Sequence, residues 1–492
     1  MNATSTQVVY SPLTQLAPAG YLLASFGDGS IIELFGYASP SMTVSRLTTP
    51  SNLPAPPSKQ EIADLLTEAR NRTLLLISGL SDEDLHRQHD PLMSPIIWDV
   101  GHIAHFEELW LTQNLDGAIE FSEMPGMYNP FEHPRATRAA LPLPTLGQMT
   151  ARLEEIRSRV FARLDGLEWN DQNPLLKGGY VFNMVLQHEY QHNETILQTL
   201  QLKKGEPYQP PRRIRFPAPD KSRTESKSRA DGGMVSFGGG RVTIGTNDRA
   251  AAYDNERPEY EVELGPFLID RTPVTNAEYL DFMFDRGYDR PELWSEAGRQ
   301  WLTETGAVAP KHWFRDGDGW FNRTMDLTRA IDPNRPVCHV CYHEAEAFAQ
   351  WSGKRLPTEF EWETAASWDP STRKSRGFPW EESAPSSKLA NIDQLSFDVA
   401  PIDTYDANVS AIGCYGMIGD VWEWTSSEFR GYPGFESFPY KEYSEEFFGS
   451  AYRVLRGGSW ATRPGAIRNT FRNWDYPIRR QIFSGFRCAR DA

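Results

Sequence analysis

Residues 180–202 read YVFNMVLQHEYQHNETILQTLQL. Val181, Val185, His188, His192 and Ile196 follow one another at steps of four and three, the spacing of a single helical stripe. Each residue turns a helix by about 100°, so His188 and His192 lie side by side on that stripe. They interrupt an apolar, inward-facing row, and two imidazoles placed so invite a metal ion. The segment His188-Glu189-Tyr190-Gln191-His192 also matches H-E-x-x-H, the zinc-peptidase helix in which two histidines bind metal and the glutamate is a base. The metzincin continuation of that motif needs a further Gly and His, and "HEYQHNETILQ" has neither. A peptidase is therefore the weaker reading.

Working outward, three more amphipathic helices precede this one. Ser58 and Glu61 form a capping box before IADLLTEARNRTLLLISGL. The stretch SPIIWDVGHIAHFEELWL is expected to start with Ser94 as N-cap and Pro95 at the first helical position, with Trp98, His102, His105 and Leu109 on one stripe. In LGQMTARLEEIRSRVFARLDGL, the residues Met149, Leu153, Ile156, Val160 and Leu164 repeat at helical spacing. Four such helices imply a four-helix bundle. The proline-rich stretch from about 111 to 144 reads as a structured crossover. A third metal ligand would come from His102 or His105, with His86, His89 and His133 as further candidates. Three neutral nitrogens leave positions open on the ion, which suits a catalytic zinc or an oxygen-activating iron(II). Spacing alone does not choose between them.

Beyond the bundle the character changes. Short β-like runs such as RVTIG and YEVELGPFLID sit among turns, and only TNAEYLDFMF and YHEAEAFAQWSG read as helices. The 12% aromatic content, with 37 Gly and 36 Pro, implies a loop-rich region built on rings. The expected fold is α+β, with a poorly ordered or loosely docked tail over 1–57, a helical bundle over 58–215, a linker over 216–232 and a loop-rich domain over 233–492. The net charge of −16 argues against non-specific nucleic-acid binding and against anionic membrane surfaces. No apolar run approaches a membrane span, the N-terminus is a poor signal peptide, and four cysteines do not make a disulfide scaffold. A cytoplasmic enzyme is expected, with a monomer as the plausible state. Cys338 and Cys341 form a C-x-x-C, but no second pair completes a zinc site, so they read as core residues.

Residues 233–492 closely resemble the formylglycine-generating-enzyme/sulfatase-modifying domain, a fold related to C-type lectins. The resemblance lies in GGRVTIGTN, GKRLPTEFEWETAA, GDVWEWTSS, RVLRGGSW and GFRCARD, in that order. Residues 58–205 resemble a DinB-type bundle. Together, with WDVGHIAHFEELWL and HEYQHNET, the chain looks like the sulfoxide synthases of ergothioneine biosynthesis, the hercynine oxygenases. The resemblance implies iron(II) held by His102, His188 and His192, and O2-dependent joining of hercynine to a thiol as a sulfoxide. It leaves Glu189 as a carboxylate behind the ligands or on the helix surface. Arg135 and Arg138 would clamp carboxylates of γ-glutamylcysteine, and Asp475 would pair with its amine. Asn473 and Gln191 would meet the carboxylate of hercynine, with Trp474 near its trimethylammonium or simply packed. Tyr440, then Tyr443, is the expected proton donor. Sibling enzymes using cysteine or a selenosugar, and a non-catalytic lectin-like module, are the alternatives. Formylglycine-generating enzymes carry a reactive cysteine pair, whereas this chain has Cys488 but no cysteine in AIRNTFRNWD.

Overall fold

Each of the bundle helices is begun by the residues that can begin it. In a computed structural model describing residues 57–115, 126–211, 213–217 and 233–492, α1 (Lys59–Ile77) opens with the Ser58–Glu61 capping box. A short helical turn, α2 (Asp82–His86), is capped by Ser81, and α4 (Leu146–Asp165) opens with a Thr145–Gln148 box. α5 (Tyr180–Gln201) starts from Gly179 at φ 76°, a left-handed conformation that glycine adopts without steric cost. α3 (Ile96–Glu108) departs from expectation. Pro95 is its N-cap and no side chain caps it. The Ser94 hydroxyl instead accepts a hydrogen bond from Arg138 Nη1 at 2.7 Å. The chain then continues through a π-helical turn, Leu109–Gln113, and 3₁₀ turns at Gly126–Tyr128 and Arg135–Ala140. All but the last residue of the expected tail over 1–57, and most of the linker over 216–232, lie outside the described residues.

The bundle interior is partly ionic. Arg70 donates from Nε to Glu189 at 2.9 Å and from Nη2 to Glu107 at 2.5 Å, and Arg157 Nε donates to Glu107 at 2.6 Å. Thr73 Oγ1 donates to Glu189 at 2.7 Å and accepts from Asn193 Nδ2 at 2.7 Å. This network stitches α1, α3, α4 and α5 together at their centre. Burial works to raise the Glu107 pKa, but Arg70 and Arg157 outweigh it and hold the carboxyl below its ordinary value.

After residue 233 the strands form small sheets. The four-stranded sheet runs Asn473–Asp475, Gly449–Arg456, Trp422–Phe429 and Ser484–Gly485; its last pair is parallel and the others antiparallel. Met234–Phe237, Phe267–Asp270 and Ala489–Asp491 form another sheet, closing the C-terminus on the start of this region. The expected helices appear as α6 (Asn276–Phe284) and α8 (Tyr342–Trp351). Two were not anticipated, α7 (Glu296–Thr305) and α9 (Glu359–Ser367). Cys341, fully buried, is the N-cap of α8, and burial pushes the thiols of Cys338 and Cys341 up. Among the described residues no helix is long and apolar enough to cross a membrane.

α5 also faces the C-terminal region. Glu194 accepts hydrogen bonds from Trp422 Nε1, Ser459 Oγ and Thr462 Oγ1, each at 2.7 Å. Gln187 accepts from Arg468 Nη1 at 2.9 Å and donates to the Ala251 carbonyl at 2.9 Å. One apolar core runs through both parts, from Ile62, Trp98 and Ile156 to Phe348, Trp422 and Phe486.

Removing one partner of a buried ion pair leaves the other uncompensated, at a cost of about 3–5 kcal/mol. Glu189→Ala is therefore expected to lower the urea-unfolding free energy of the metal-free protein by roughly that amount. A loss below about 1 kcal/mol, the range of exposed pairs, would show the network to be energetically idle.

Candidate metal centre and its surroundings

α3 and α5 bring together His102, His188 and His192. Their candidate ligand atoms lie within 4.8 Å of one another, the sole such group of three among the described residues. The Nε2 atoms of His102 and His188 are 3.3 Å apart. Nitrogens at adjacent corners around an ion ~2.1 Å away are separated by about 3 Å, so the pair fits a shared ion with little adjustment. His102 Nδ1 lies 2.8 Å from the carbonyl of Tyr128. A carbonyl only accepts, so the proton sits on Nδ1 and the Nε2 lone pair is free for a metal. His192 Nδ1 lies 3.3 Å from Asp99 Oδ1. The Phe106 ring lies parallel to His188 at 3.7 Å, and Trp98 stacks on His102 at 5.0 Å.

Burial, reinforced by His192, holds the pKa values of His102 and His188 well below the ordinary imidazole value. Both rings are therefore neutral at pH 7, the form that binds metal. A set of neutral nitrogens without a carboxylate suits iron(II) as well as zinc. The other candidates are placed differently. His105 stacks beside His102 at 6.3 Å, and its ring stays out of the group. His86 Nδ1 and His89 Nε2 lie against the carbonyls of Asp82 and Asp84, at 2.7 and 2.9 Å. His133 is absent from the group; its carbonyl accepts from Arg138 Nε at 2.8 Å. Glu189 is neither on the helix surface nor behind the ligands: it is buried and turned into the ionic network.

Gln191 Nε2 donates to the Tyr443 hydroxyl at 3.1 Å. Tyr443 stacks on Tyr253 at 4.3 Å, with Trp474 edge-on at 5.9 Å. Trp474 itself lies flat on Phe429 at 4.0 Å. Asn473 and Asp475 flank it in the strand; Asn473 Oδ1 accepts from the Trp474 N–H at 2.9 Å and Asp475 Oδ1 from the Tyr476 N–H at 2.8 Å. Tyr440 stacks on Trp110 at 5.2 Å and stands 6.2 Å from the Phe106 ring that covers His188. Arg135 and Arg138 lie on a 3₁₀ turn. Arg138 is buried, with its guanidinium 3.5 Å above the centre of the Trp98 ring. Arg135 is exposed and donates to the Leu92 carbonyl at 3.2 Å. That carbonyl also accepts from Arg479 Nη1 at 2.8 Å, and Arg479 Nε lies 3.2 Å from Asp475.

Residues 65–196 match the DinB superfamily and residues 220–492 match the sulfatase-modifying factor enzyme 1-like domain. The hercynine oxygenase of Mycolicibacterium thermoresistibile is 44% identical over 448 residues, covering 89% of this chain and 96% of that one. The hercynine oxygenase of Mycobacterium tuberculosis is 42% identical, covering 88% and 99%. The chain belongs to the hercynine oxygenase family. The formylglycine-generating enzyme of Streptomyces coelicolor is 32% identical but covers only 54% of this chain, so the whole-length likeness is to the oxygenases.

Several contacts within this family member carried no direct sequence signal. Tyr128 acts through its carbonyl, which any residue has. Asp99 and Arg479 are single charged residues whose neighbours are distant in the chain. Tyr253 meets Tyr443 across 190 residues. Gly101 was readable in hindsight: a Cβ there would come within 2.0 Å of the Tyr128 ring.

Metal ligands must shed protons before they bind. Because His102 and His188 are already neutral at pH 7, calorimetry in buffers of different ionisation enthalpy is expected to show release of no more than about one proton per iron(II). Release of two or more would contradict this. Gly101→Val is expected to displace Tyr128 and weaken iron(II) binding by about 10- to 100-fold, the usual cost of losing a ligand's outer partner. An unchanged dissociation constant would remove Tyr128 from that part.

Proposed function

We propose that this chain joins γ-glutamylcysteine to hercynine with dioxygen, giving the hercynyl sulfoxide, at an iron(II) held by His102, His188 and His192. The observation that carries this reading is the three-histidine centre, inside a chain that resembles hercynine oxygenases over 89% of its length. Iron bound by three nitrogens would supply adjacent open positions for thiolate, imidazole and dioxygen.

The chain's own residues do the remaining work. Arg138, held flat by Trp98, and Arg135 beside it take carboxylates of the thiol substrate, for which a planar guanidinium is suited. Asp475 takes the substrate's amine, with Arg479 holding the carboxylate in place until then. Gln191 and Asn473 take the carboxylate of hercynine, and Tyr443 fixes the Gln191 side chain. Tyr253, Tyr443 and Trp474 form an aromatic wall that attracts the trimethylammonium group. Tyr440 is the proton donor. Burial, followed by the neighbouring Tyr253 and Tyr180, raises its pKa well above the ordinary phenol value. It therefore stays protonated across the working range and gives a proton rather than taking one.

The test is anaerobic loading with iron(II), then hercynine, dioxygen and either γ-glutamylcysteine or cysteine, with products read by mass spectrometry. The sulfoxide of γ-glutamylcysteine is expected to dominate. Preference for cysteine or a selenosugar would reassign the thiol pocket. Tyr440→Phe is expected to lower sulfoxide formation by about 10²- to 10⁴-fold with iron binding intact. Near-normal turnover would move the role to Tyr443.

A further inference from the structure

Asp99 sits on α3 three residues before His102 and is 1% exposed. One carboxylate oxygen, Oδ1, lies 3.3 Å from His192 Nδ1; that nitrogen and Asp99 Oδ2 are both buried without a hydrogen-bond partner. Such an atom costs free energy wherever it is placed. This carboxylate favours the charged forms of Arg138 and Arg135, against the burial that disfavours them. Arg138 is pinned over Trp98, the residue next to Asp99, and is further held by Ser94 and the His133 carbonyl. A single buried carboxylate thus lies against a ring of the metal centre and next in the chain to the residue over which Arg138 is held.

The three rings are also treated unequally. His102 Nδ1 hydrogen-bonds to a neutral carbonyl, whereas His192 Nδ1 faces a carboxylate oxygen at 3.3 Å. A carboxylate at Nδ1 makes an imidazole the stronger donor at Nε2 and fixes its rotation. We propose that Asp99 is a positioning residue that aims His192 at the metal, and that it shares its charge with Arg138 and Arg135, so that what the arginines bind is felt at the metal centre. This rests on the reading of the three histidines as iron ligands. A substrate carboxylate on the arginine pair neutralises the cations competing for Asp99 and leaves its charge more fully on His192.

Titrations of the full-length chain with iron(II), and with cobalt(II) as a coloured probe, test this without any turnover. Asp99→Asn keeps the shape and removes the charge. It is expected to weaken iron(II) binding by about 10- to 100-fold and to shift the visible cobalt(II) bands, while the metal-free protein melts no lower than the parent. An iron(II) dissociation constant within about twofold of the parent, on this scale, overturns the positioning part. Arg138→Gln is expected to change iron(II) affinity in the Asp99 chain and severalfold less in the Asp99→Asn chain. Additive effects of the two changes overturn the shared charge. Should Asp99→Asn not fold, Asp99→Glu, which keeps the charge but moves it by one methylene, is expected to shift the same cobalt(II) bands, and unshifted bands overturn the proposal. If the parent makes no sulfoxide, the proposed reaction fails, yet these affinities still decide the part of Asp99.

Discussion

The α5 helix has to satisfy three environments at once, and the rest of the structure is arranged around that constraint. Successive residues step by about 100° around its axis. His188, Gln191 and His192 fall within one arc, facing the metal centre and Tyr443. Glu189 and Asn193 fall on a second arc and enter the ionic network of the bundle. Gln187 and Glu194 fall on the third and are held by Arg468, Trp422, Ser459 and Thr462. Only Gln191 and His192, on the first arc, keep part of their surface open over these turns. Rotation of the helix would break two sets of buried polar contacts in moving the third, so the histidines are aimed by groups that never touch a metal.

Electrostatics separates the two buried polar sites of the bundle. In the network of Arg70, Glu107, Glu189 and Arg157, each buried carboxylate is matched by a guanidinium. Around His102 and His188, burial without a nearby matching anion keeps the rings neutral. Both outcomes follow from the same cost of burying charge. The first gives rigidity, and the second gives a place where an incoming cation finds lone pairs rather than protons.

The bundle was largely legible because its signals are local. Capping boxes, helical stripes and the H-E-x-x-H spacing each sit within a few residues of the atoms they control. The same logic failed where a local signal had a stronger distant competitor. Ser94 looked like a cap, but the Arg138 guanidinium, 44 residues away, claims its hydroxyl. Glu189 looked like a metal-side carboxylate, and its direction was set by Arg70 on α1. α9 was missed although Thr358 and Glu361 form a capping box, because its aromatic and charged residues give no clean stripe. α7 is short and buries only Gly298 and Trp301, so its one face rests on a single large side chain. Around the centre, the ring-bearing residues could be named from resemblance, but contacts such as Asp99 with His192 exist only after folding.

The three histidines lie between residues 102 and 192, and Tyr440, Tyr443, Asn473 and Asp475 come from a different part of the chain. The two sets meet across contacts made by side chains of the surrounding loops and of α5. A chain cut between the two stretches would keep the histidines and lose the Tyr443 and Trp422 side chains that bond to α5.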